Sequence, residues 1–137
     1  MRTALRRTHA GLVHLVTLGV LTQAVLAGQF ISGMSNALPW HTAVAAVLEL
    51  LAVLLLLVAI AHRVSGERSR LALAGSIALA LAVMVQATLG HIPGQVATAI
   101  HVPLGVCVFA ATILMSVAMT RLRSGSARRR RTARVAA

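Results

Sequence analysis

Between Gly11 and Ala61 the chain carries one formal charge, Glu49, and between Leu71 and Thr120 it carries none. A domain of 137 residues that is 58% hydrophobic, with only 2 acidic residues, cannot hide that apolar surface from water. Its solvent is therefore a bilayer. In hydrocarbon a backbone has to pair its own polar groups, and a helix does so within one segment. Turn-forming residues at Gly33-Met-Ser-Asn-Ala-Leu-Pro39 and Ile92-Pro93-Gly94 divide each stretch in two. The predicted helices cover residues 11–32, 39–61, 71–90 and 95–120. Each is close to the ~20 residues that cross a hydrocarbon core of roughly 30 Å. Val25-Leu26-Ala27 resembles a small-residue cleavage site, but the first run is longer than a signal-peptide core of about 7–15 residues. It is read as a retained helix.

All 13 basic side chains are arginines, and they fall in three places. Arg2, Arg6 and Arg7 precede the first helix; Arg63, Arg68 and Arg70 lie between the second and third; the remainder follow the fourth. The two opposite turns carry none. Cytoplasmic loops of membrane proteins are enriched in Arg and Lys, so both termini and the 62–70 loop are predicted to be cytoplasmic. The net charge of +11 is absorbed by this role and by contact with anionic lipid. Residues 1–10 are expected to form a basic cytoplasmic N-terminus, and the tail, residues 121–137, to be disordered. It lacks the aromatic or folded context of a nucleic-acid site. The single Cys107 lies in an apolar run and reads as packing.

The two halves resemble each other. Gln23 and Gln86 are 63 positions apart, as are Leu26 and Leu89, while His41 and His101 are 60 apart. The three-residue difference falls in a loop, where changes of length are tolerated. A duplicated two-helix unit follows, each copy with a histidine opening its second helix. The fold class is all-α, an integral-membrane up-down four-helix bundle. Two such units with the same orientation are related by an axis along the membrane normal. His41 and His101 then meet at one depth across the bundle, as a bis-histidine haem requires. Ala45 and Gly105, one turn further on, would leave room for the macrocycle. The plainer reading is two interfacial histidines bonded to carbonyls or water.

The other polar residues are assigned in turn. His14 and His62 form a secondary candidate pair near the cytoplasmic side, but the repeat places Ile77 and Leu122 at the equivalent positions. His62 is read as an interfacial residue and His9 as a solvated loop residue. His91 would face water or a haem propionate. Glu49, about 12 Å along the helix from His41 and rotated roughly 80° from it, lies near mid-bilayer. It would be protonated or paired there, with Gln23 as a hydrogen-bond partner, or serve proton coupling.

Gln23-Ala-Val-Leu-Ala-Gly28, His41-Thr-Ala-Val-Ala45, Gln86-Ala-Thr-Leu-Gly90 and Ala99-Ile-His101-Val-Pro-Leu104 resemble one four-helix half of the haem A synthase family. The likeness covers about residues 15–115. It implies haem held between His41 and His101. The chain is also similar to small four-helix actinobacterial membrane proteins with the same two-histidine layout, which implies a bacterial plasma membrane. Three departures stand out: one half in place of two, Leu38 where the family has a loop glutamate, and no paired loop cysteines. Synthase activity by this chain alone is therefore not expected. The expected function is a b-type cytochrome passing one electron near the outer face, as a homodimer or within a larger respiratory or haem-handling complex. The alternatives are a cofactor-free accessory or assembly subunit, or a proton-coupled small-molecule transporter using Glu49.

Overall fold

The computed structural model describes the backbone of residues 2–66 and 70–135, with side chains for 3–66, 70 and 72–121. It is all-helical: α1 Arg2–Ile31, α2 Ala37–Val64, α3 Arg70–His91 and α4 Gln95–Val135. All four are long and apolar enough to cross a membrane, over Thr3–Ile31, Ala37–Val64, Ala72–His91 and Gln95–Arg121. α1 packs on α2 and α4, and α3 packs on α2 and α4. The pairs α1/α3 and α2/α4 therefore stand on the two diagonals of a square.

Small residues let the helices approach. The buried centre is built from Val13, Val16, Val20, Leu48, Ala52, Leu55, Leu79, Ala80, Val83 and Val108. The outer surface is apolar as well, with Leu18, Leu50, Leu81 and Leu114 all exposed. Such a surface is compatible with lipid contact and unsuited to water. Gly19 on α1 lies against Leu48 of α2: a Cβ there would lie 2.6 Å from Leu48 Cδ2 and 3.1 Å from its Cγ. Gly19→Ala should displace the buried Leu48 and cost about 1–3 kcal/mol by overpacking. The lowered melting temperature in detergent checks this. At Gly28 an added Cβ meets nothing within 4 Å, so Gly28→Ala should bring no such loss.

The two halves correspond in burial. Residues 31–50 and 91–110 match position by position in whether they are buried, half-buried or exposed. Ala37 and Ala97 are buried, His41 and His101 half-buried, Leu48 and Val108 buried. The turn after α1 closes with Met34 N–H donating to the Gln29 carbonyl at 3.0 Å, over Gly33 at φ 93°. A side chain resists that left-handed conformation, which favours glycine there. Gly94, at φ 121°, does the same before α4.

Helix boundaries differ from the sequence reading at two ends. α1 begins at Arg2 rather than near Gly11, so residues 2–10 are helical and not a loop. His9, Val13, Val16 and Val20 recur at the spacing of one helix face, and burying that face extends the helix. α4 continues to Val135 instead of ending near Thr120, and the expected disorder of residues 121–135 gives way to helix. No proline follows Thr120, and alanine and arginine are strong helix formers. Met1, Glu67, Arg68, Ser69 and residues 136–137 lie outside the described residues.

Candidate functional site

Among the described residues no Cα atom of α2 comes within 8 Å of one in α4, yet His41 on α2 and His101 on α4 meet across that diagonal through their side chains. Their ring centroids are 6.4 Å apart and the planes are inclined at 61°. Two imidazoles bound on opposite sides of one metal atom, with metal–nitrogen bonds of about 2 Å, would have centroids roughly 6 Å apart. The spacing suits a pair of axial ligands.

His101 is held from two directions. Its Nδ1–H donates to the Gln86 carbonyl at 3.0 Å, and the Gln86 side-chain Nε2 donates to the His101 carbonyl at 2.8 Å. A carbonyl only accepts, so Nδ1 carries the proton and the neutral ring keeps its lone pair on Nε2. A histidine ligand is usually oriented in this way, by a bond at its other nitrogen. Two glycines make the clamp fit. A Cβ at Gly105 would lie 3.0 Å from Gln86 Nε2, and one at Gly90 would lie 3.2 Å from His101 Cε1. The space at Gly105 is thus taken by the Gln86 amide, where the sequence reading kept it for a macrocycle. Gly105→Leu should expel Gln86 and lower stability by about 1–3 kcal/mol, the usual cost of stranding a buried polar group. Thermal unfolding of the purified protein measures it.

The other half is less complete. The Gln23 carbonyl bears on the His41 ring as Gln86 bears on His101, but no bond of hydrogen-bond geometry closes. His41 Nδ1, Gln23 Oε1 and Gln86 Oε1 are buried without partners. Three of the four buried, unpaired side-chain polar atoms among the described residues thus belong to this pair and its two glutamines, each costing about 1–3 kcal/mol unless a ligand or water supplies a partner. Ala45, the counterpart of Gly105, is half-buried.

The remaining candidates separate from this site. His91 is exposed and its Nδ1 lies 2.7 Å from the Ala87 carbonyl of its own helix. Glu49 is half-buried, and no hydrogen bond links it to Gln23 among the described residues. The expected Glu–Gln clamp is therefore absent, and the Gln23 side-chain oxygen is left buried without a partner. His14 is exposed and takes no part in a pair. His62 is buried within the bundle, and its neighbour is His9 at a centroid distance of 5.8 Å. His9, expected in solvent, is 3% exposed and has Nε2 3.0 Å from Ser76 Oγ. The stripe of His9, Val13 and Val16 carried that signal in the sequence. Among the described residues there is no group of three His, Cys, Asp or Glu side chains able to hold a metal ion. No protein-family model, curated protein sequence or solved structure matches the chain.

Proposed function

We propose that the chain is a multi-pass membrane protein that binds haem b between His41 and His101 and carries one electron near the outer face. The observation that carries this reading is the diagonal pair, 6.4 Å between centroids, in which His101 has its Nδ1 engaged and so keeps Nε2 for a metal. The residues present fit a doubly ligated iron. His41 and His101 would take the two axial positions, and Gln86 orients one of them. Such ligation saturates the iron and favours electron transfer over oxygen chemistry. The up-down topology, cytoplasmic termini and bacterial plasma-membrane location belong to this proposal and rest on where the arginines fall. So does the likeness to half a haem A synthase, with the missing loop glutamate and cysteines arguing against synthase activity. A homodimer or a larger respiratory or haem-handling complex would supply the redox partners.

One observation favours a second reading, a cofactor-free accessory subunit. Rings inclined at 61° also make an edge-to-face contact that holds two neutral imidazoles together with no metal. An absorption spectrum of the detergent-purified protein, expressed with haem supplied, separates the two. A Soret band with low-spin α and β bands supports the cytochrome. A colourless protein sinks it and leaves the accessory subunit.

A further inference from the structure

A second histidine pair lies in the layer of α3's first two turns, and the first site does not use it. His9 on α1 is 3% exposed and His62 on α2 is 8% exposed. Their ring centroids are 5.8 Å apart, with the planes tilted by 59°. His62 Nε2 is buried and has no hydrogen-bond partner. On the other ring, Nε2 lies 3.0 Å from Ser76 Oγ. The Ser76 hydroxyl donates its proton to the Ala72 carbonyl at 2.8 Å, so its oxygen accepts from His9. Nε2 of His9 therefore carries the hydrogen, and Nδ1 keeps the lone pair.

We propose that His9 and His62 form a second metal site, one that takes a soft monovalent cation, copper(I). Imidazoles on one metal atom, bound at about 2 Å, have centroids roughly 5 Å apart at a tetrahedral angle and about 6 Å apart in line. The observed 5.8 Å lies at the open end, which suits an ion content with two ligands. Ser76 supplies the bond at the far nitrogen that orients a metal-bound imidazole.

Charge selects the ion. No carboxylate accompanies the pair among the described residues: Glu49 stands 13 positions before His62, about 20 Å along α2, and Glu67, the other acid of the chain, lies outside them. Arg7 and Arg63, both exposed near this end, add positive charge. Two neutral ligands leave a divalent ion its full charge, and the cost of burying an ion grows as the square of its charge. A monovalent ion faces a quarter of that cost. Imidazole suits copper, and a soft thioether stands in the same layer: Met115 Sδ is 3.6 Å from the Cβ position of Gly75, next to Ser76.

The test uses full-length, haem-free protein in detergent, titrated anaerobically with copper(I) held by a coloured competing chelator. The wild type should withdraw copper(I) from the chelator. A His41→Ala/His101→Ala double variant, in which the other imidazole pair is gone, should still withdraw one per chain, which separates this outcome from that of the cytochrome reading. The single variants are made in that background. His62→Ala and His9→Ala should each lose affinity by at least about tenfold, and Ser76→Ala by roughly 10–100-fold, the usual effect of removing an orienting partner. Circular dichroism checks folding, and His62→Gln replaces His62→Ala if that variant unfolds. The proposal is overturned if the double variant leaves all copper on the chelator, as it would with a water between the rings. It is equally overturned if a folded His9 or His62 variant keeps the affinity of that background, or if equimolar zinc(II) displaces the copper.

Discussion

Full-length protein carrying His101→Ala, expressed with haem supplied, is expected to lose the low-spin spectrum and to retain haem at least 10–100-fold more weakly than the wild type. The loss has two parts. An axial nitrogen disappears, and the Gln86 carbonyl loses the Nδ1–H that bonds it at 3.0 Å. His41→Ala removes an axial nitrogen without disturbing a closed clamp, since His41 Nδ1 has no hydrogen-bond partner. Its expected product is a high-spin, five-coordinate spectrum with haem still present. His14→Ala should leave the spectrum unaltered, because His14 is exposed and belongs to no pair. Unaltered low-spin spectra in both His41→Ala and His101→Ala would place the haem elsewhere.

Topology gives the other all-or-none result. Cys107 is exposed and is first replaced by Ala, leaving a cysteine-free background. In it, Met34→Cys should react with an impermeant maleimide added to intact cells, and Ser65→Cys should react only after lysis. The connection at 32–36 carries no charge, whereas Arg63 stands beside the other. Moving three arginines and their loop across a bilayer opposes the inside preference of basic residues. Labelling of Ser65→Cys from outside, with Met34→Cys silent, reverses the orientation and takes the cytoplasmic termini with it.

Much of the bundle was legible because hydrocarbon leaves few choices. Uncharged runs of the right length become helices, and Pro39, Pro93 and the glycines of the turns mark where they stop. The meeting of His41 and His101 was legible from the repeat, since equivalent positions on α2 and α4 share a diagonal. His9 was misjudged for a physical reason. Arginines at positions 6 and 7 suggested solvent, but a helix sorts residues by angle, and His9 falls on the stripe of Val13, Val16 and Val20. The clamp was hidden for another reason. Gln86 stood out as one member of a repeat, but its bonds to His101 depend on space left by Gly105 and Gly90, which spacing does not reveal.

The His101 ring lies close over Gly90, 3.2 Å from where a Cβ would stand. Shifting back by the 63 positions that relate Gln86 to Gln23 gives Ala27 in the first half. The first half thus carries a methyl group at the position where the second half has none. That methyl is expected to hold His41 off the Gln23 carbonyl, whereas His101 seats on that of Gln86. The two copies keep the same backbone and burial but have become a firm arm and a loose one. Ala27→Gly would restore the likeness, and Gly90→Ala would loosen both arms.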